Sequence, residues 1–160
     1  MERKDFMENE KKWYVNELLG GYEGHFFVVT LMRYGHRCGY VKVENHELFE
    51  RIKKWYCDFD NSEFSFNVHG GITFCESDPD NHHLSKGDWI GFDCNHAGDL
   101  IDATALFNEF NDISDGEFTL IVDRVLMGRG GKIRSTDYVS GECRKLIDQL
   151  IKLGDVEDGE

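Results

Sequence analysis

The run Phe26-Phe27-Val28-Val29-Thr30-Leu31-Met32-Arg33 constrains the fold of this chain more than any other stretch. β-Branched and aromatic side chains in succession favour a pleated, extended backbone. A turn at Tyr34-Gly35 leads into a second extended run, His36 to Val43, which predicts an antiparallel hairpin. Strand patterns continue downstream. Phe64, Phe66 and Val68 alternate with Ser65 and Asn67 at the two-residue period of a half-buried strand. Ile72 to Cys75 resumes that strand after Gly70-Gly71, Glu76 to Asp88 is a polar loop, and Trp89 to Cys94 supplies a third sheet segment. Glu117 to Met127, rich in β-branched and apolar residues, is predicted as a further strand.

Between these runs the apolar period lengthens to that of a helix. Residues 8–19 are predicted as an N-terminal helix, with Trp13, Tyr14 and Leu18 on one face and Gly20-Gly21 as its stop. Glu47 to Tyr56 carries Leu48, Phe49, Ile52 and Trp55 at i, i+1, i+4 and i+7, and Ala103 to Phe110 has room for one or two turns. The clearest helix is Asp137 to Leu153, capped by Ser135 or Thr136, with Val139, Cys143, Leu146, Ile147, Leu150 and Ile151 as its buried stripe. Strands in hairpin order with helices at the start, middle and end predict an α+β fold, a mainly antiparallel sheet with helices on one face. The 160 residues amount to one domain, 1–160, closed by a short acidic tail, 154–160. At 40% hydrophobic and 13% aromatic, the chain is too apolar for intrinsic disorder. Its longest apolar stretch is far short of the ~20 residues that span a bilayer. The polar first ten residues do not read as a secretory signal, so a soluble, cytoplasmic protein is expected.

The formal net charge of −13 is concentrated: Glu76 to Glu117 holds eleven acids against one base, Lys86. Such a field excludes strong direct binding to DNA and attraction to an anionic membrane. Its complement is a basic protein surface, and Asp78, Asp80, Asp88, Asp112, Asp115 and Glu117 lie in polar segments suited to meet one. The opposite sign gathers in Gly128-Arg129-Gly130-Gly131-Lys132, a loop without the spacing or Ser/Thr of a P-loop, where Arg129, Lys132 and Arg134 could grip a phosphate. Five cysteines without a C-x-x-C pair are expected as free thiols in a reducing compartment, with Cys38, Cys75 and Cys94 buried in sheet segments.

Chemistry concentrates in His69-Gly70-Gly71-Ile72-Thr73-Phe74 and in Trp89 to Asp99. A glycine pair inside a strand pattern marks a bulge or a close approach by backbone or ligand. Beside it stand His69, Asp93, His96 and Asp99, two imidazoles and two carboxylates, which suffice for a divalent metal or for an acid–base pair. The same four groups also suit plain turn capping.

These two blocks resemble those of a family of small bacteriophage and prophage proteins, H-G-G-[IL]-T-[FY] followed by W-x-G-F-D-C-x-H-x-G-D, and the likeness extends from about Val28 to Leu150. The resemblance implies a phage accessory product and assigns no catalytic residue. By analogy of setting it suggests a counter-defence, anti-CRISPR-like inhibitor. Two functions follow as expectations. The favoured one is a binder that blocks a basic host nuclease or nucleoprotein effector through its acidic surface, with no cofactor. The alternative is a metal-dependent phosphodiester or nucleotide hydrolase, or a nucleotide binder, built on His69, Asp93, His96 and Asp99. Oligomeric state is left open by the sequence.

Overall fold

The computed structural model describes residues 11–79 and 83–156. Five antiparallel strands form one sheet in the order β1-β2-β3-β5-β4: β1 Tyr14–Tyr22, β2 His25–Met32, β3 Arg37–Val43, β4 Phe74–Ser77 and β5 Asp88–Asp93. The helices are α1 His46–Cys57, α2 Ala103–Glu109, α3 Asp115–Met127 and α4 Thr136–Lys152. A two-residue parallel pair, β6 Asp99–Leu100 with β7 Lys132–Ile133, stands apart from the main sheet. The architecture is α+β, with the long helix at the C-terminus as the patterns predict.

Helices α1 and α4 cover one face of the sheet. Phe27, Val29, Val41, Val43, Ile90 and Phe92 meet Phe49 and Ile52 of α1 and Val139, Cys143, Leu146, Ile147 and Leu150 of α4 in one buried cluster. Val28, Cys38, Tyr40 and Trp89 point to the other face, where Leu84 covers them. The alternation follows from the period of two along each strand. Close approach between α4 and the sheet depends on Gly39: a Cβ there would sit 2.5 Å from the Phe92 ring and 2.8 Å from Cys143 Sγ, both fully enclosed. Gly39→Ala is therefore expected to destabilise by about 1–3 kcal/mol through overpacking, read from urea unfolding; a loss within experimental error would show that the interface can relax.

Three elements depart from expectation. Residues 14–19 of the predicted N-terminal helix are strand β1, paired with β2 from Tyr14↔Met32 to Tyr22↔His25; residues 8–10 lie outside the described residues. The glycines read as a helix stop serve packing, for the Phe27 ring lies against Gly20 where a Cβ would come within 2.3 Å. The actual reversal is Glu23-Gly24, both at positive φ, as a two-residue hairpin turn requires. Glu117–Met127 is helix, not strand. Ser114 and Glu117 form a complete capping box, and that local signal outweighs the β-branched composition. Phe64 to Val68 keeps the burial alternation of a strand without a ladder. Gln149 of α4 takes the ladder's place, accepting from Asn67 N–H at 2.8 Å and donating to its carbonyl at 2.9 Å.

Three ionic clusters fasten the sheet ends. A bulge between Asn16 and Leu18 turns Glu17 onto Arg37, which it meets at 2.6 and 3.1 Å. Arg33, 1% exposed, binds Glu117 and Asp112 and donates to the carbonyls of Lys12 and Asp112. Asp155, in the segment predicted as a short acidic tail, is fully buried: it accepts from His25 Nε2 at 2.7 Å and from the backbone N–H groups of Glu44 and Asn45.

Candidate functional site

The turn that closes on His69 is built by its glycines. Gly71 N–H returns to the Val68 carbonyl at 2.9 Å, with Gly70 at φ +69 and Gly71 at φ +80. A Cβ on Gly70 would lie 2.3 Å from the His96 ring, so this is the close approach that the glycine pair predicts, made by a histidine. His96 arrives from the loop after β5. There the Asn95 N–H is held by Asp93 Oδ1, and the His96 N–H donates to Asp99 Oδ2 at 3.1 Å. Asp99 opens β6, and its pairing with Lys132 brings the basic loop alongside; the Lys132 N–H donates to the Gly98 carbonyl at 2.9 Å.

Asp99 is the centre of this arrangement. Its side chain is 2% exposed; Oδ2 takes His69 Nε2 at 2.8 Å and Oδ1 takes Arg134 Nε at 2.8 Å. Burial works to raise its pKa, but the hydrogen bonds from His69, Arg134 and the His96 backbone outweigh it and hold the carboxyl below its ordinary range. On the far side of His69, Nδ1 lies 2.8 Å from the Tyr138 hydroxyl, while the Arg134 guanidinium sits over the Tyr138 ring. Arg134, Asp99, His69 and Tyr138 thus form one continuous hydrogen-bonded chain. His96 Nδ1 stands 3.5 Å from Asp93 and 3.8 Å from Asp99, both longer than a good hydrogen bond.

His69, His96 and Asp99 each offer a ligand atom, all within 4.8 Å of one another. Three ligands about 2.0–2.2 Å from one ion in tetrahedral geometry lie about 3.3–3.6 Å apart, so closing on a divalent ion requires these side chains to shift and the 2.8 Å hydrogen bond between His69 and Asp99 to open. A cavity of about 370 Å³ opens beside them, walled by His36, Thr73, Asp93, Asn95 and His96. Burial lowers the His36 pKa below its ordinary value, and its enclosed Nδ1 has no hydrogen-bond partner among the described residues.

Of the residues singled out from sequence, His69, His96 and Asp99 converge, and Asp93 flanks them at the cavity. Arg134 is engaged by Asp99, whereas Lys132 and Arg129 are exposed on the neighbouring loop. The acidic surface is a different matter. Asp88 is buried, accepting from Ser77 Oγ at 2.7 Å and contacting His46 Nδ1 at 2.8 Å. Glu117 is half-buried against Arg33, while Asp112 binds the same guanidinium and stays exposed, so of the three only Asp88 is buried. Asp115 is exposed, as is Asp78, whose carboxylate accepts from Gly87 N–H; Asp80 lies outside the described residues. Tyr138 and His36 carried no signal in the sequence, because what recruits them is spatial. Buried Cys38, Cys75 and Cys94 are pushed up to about 12 by desolvation, which excludes them as nucleophiles near neutral pH.

Among the described residues no helix is long and apolar enough to cross a membrane. Compared with known protein families, curated proteins and solved structures, the chain matches none of them.

Proposed function

We propose that the protein is a divalent-metal-dependent phosphoesterase acting on a nucleotide or phosphodiester. The observation that carries this reading is the convergence of His69 with His96 and Asp99, from two separate segments, beside a basic loop. It reverses the weight of the two functions expected from sequence, because Asp88, Asp112 and Glu117 have internal partners.

The donor set suits a borderline metal such as zinc, manganese or iron. Asp99 Oδ2 and the two imidazoles would hold the ion, while Arg134 fixes the carboxylate through Oδ1. Metal uptake would displace the Nε2 proton that His69 now gives to Asp99; the Tyr138 hydroxyl, which can accept as well as donate, would then take Nδ1–H and leave Nε2 as a ligand. A bound ion supplies Lewis-acid polarisation of a phosphoryl oxygen and a more acidic water. Arg124, which donates to Asn95 Oδ1 at the cavity wall, and Arg134 balance Asp93 and Asp99 in charge, so a divalent cation would leave the site positive and attractive to phosphate. Asp93, at the cavity wall beside His96, is placed to orient or deprotonate a water. Lys132 is placed to meet a further phosphate oxygen.

Titration calorimetry with zinc and manganese, followed by hydrolysis assays on bis(p-nitrophenyl) phosphate and nucleotides, tests this. Wild type is expected to bind about one ion. His96→Ala should lose more than roughly 100-fold in affinity, and Tyr138→Phe roughly tenfold, since outer partners of a metal ligand contribute about 10–100-fold. His96 is exposed, so its variant should keep the fold, checked by circular dichroism. A folded wild type that takes up no divalent ion at millimolar concentration overturns the reading.

A further inference from the structure

Helix α3 buries little of its apolar surface. Ile121 is enclosed, Val125 is half-buried, and Glu117 turns inward to Arg33. Away from that side runs a ridge at i, i+4 and i+8: Phe118, 52% exposed, Val122, 38%, and Leu126, 60%. A helix apolar on more than one face is normally buried on more than one face. The charges at its ends name what covers it. Asp115, the first helical residue, lies seven residues before Val122, and Arg129 lies seven after it in the turn just beyond Met127; both are exposed. Phe118 and Leu126 lie four to either side, so the pattern is symmetric about Val122 in shape and antisymmetric in charge.

We propose that α3 pairs antiparallel with α3 of a second copy, across a two-fold axis at Val122. A self-complementary surface of this kind is what a closed dimer needs. The axis sets Val122 against its own copy, Phe118 against Leu126 of the second copy, and Asp115 opposite Arg129 at both ends. Ridges of i±4 spacing are also those that interlock in helix pairs. A parallel pair would set Asp115 beside Asp115 and Arg129 beside Arg129, which opposes it. The antiparallel orientation also aligns the two helix dipoles favourably. Partners of another kind would not require this symmetry of sign.

Analytical ultracentrifugation of the full chain over the micromolar to hundred-micromolar range tests the proposal. Wild type is expected to dimerise, and Val122→Glu, which sets two carboxylates on the axis, to sediment as a monomer with an unchanged circular dichroism spectrum. Asp115→Arg alone and Arg129→Asp alone each create two like-charge contacts per dimer and should weaken self-association by roughly tenfold. Mixed in equal amounts, these two variants should recover wild-type affinity, because a heterodimer restores both opposite-charge contacts. Any loss of helix stability from the substitutions is present in the mixture too, so recovery reports the pairing itself. A wild type that stays monomeric throughout, or a mixture that behaves as its two components do separately, overturns the proposal.

Discussion

Replacing Arg33 with alanine is expected to cost about 3 kcal/mol, near the lower end of what breaking a buried ion pair costs, because Glu117 and Asp112 retain some access to water. In a protein of this size that corresponds to roughly 6–12 °C in Tm. The guanidinium ties β2 to the start of α3 and to the segment before β1, and it packs between the rings of Trp13 and Phe110. The loss should depend on pH. Arg33 holds the Glu117 carboxyl well below the ordinary glutamate value of about 4.5. A lowered folded-state pKa contributes stability that is complete above the unfolded value and is lost as pH falls towards the folded one. Wild type should therefore lose stability on acidification below about pH 4.5, and the loss should be shallower in Arg33→Ala. Urea midpoints for both proteins from pH 3 to 7 check this; parallel pH profiles would show that the pair contributes nothing.

Asp155→Ala carries the second large effect, about 3–5 kcal/mol, from a residue in the acid-rich stretch 154–160. The substitution leaves two backbone N–H groups and the His25 ring without their shared acceptor in a site closed to water. Those N–H groups lie where β3 hands over to α1, and Asn45 is also the α1 cap, accepting from the Leu48 N–H. Loss of Asp155 should thus loosen the N-terminal turn of α1 before the rest of the core. Hydrogen exchange at residues 45–49 and thermal melting measure the two parts. Asp155→Asn, which keeps one oxygen acceptor, should fall between wild type and alanine. A melting temperature for Asp155→Ala equal to that of wild type would mean that water replaces the carboxylate.

Much of the fold was legible because its signals are local. The β2–β3 hairpin, α1, β5 and α4 each carry an uninterrupted period in their own side chains, and a cap or turn residue at the boundary. Two of the three misassigned elements fail for identifiable local reasons. In β1, Trp13, Tyr14 and Leu18 fit a helical spacing as well as an extended one, and only pairing with β2 selects the strand. In α3, composition favoured a strand while Ser114 and Glu117 announced a helix start, and the cap was the better guide. The candidate site shows the same division. His69 and His96 stand out beside glycines because a glycine that admits a neighbour leaves a trace in sequence. Tyr138 and His36 leave none, since any solvent-tolerant aromatic or imidazole would look the same along the chain.

The sequence by itself determined the α+β class, the antiparallel hairpin, the covering helix α4 and the glycine-flanked histidines, since each depends on periodicity or on a backbone conformation encoded within a few residues. Only the tertiary structure decided which acids face water. A carboxylate's environment depends on partners far along the chain: Arg33 for Glu117, His25 for Asp155, and Arg134 with His69 for Asp99. Residue type fixes the charge a side chain can carry, but its exposure and partners follow from how distant segments come together.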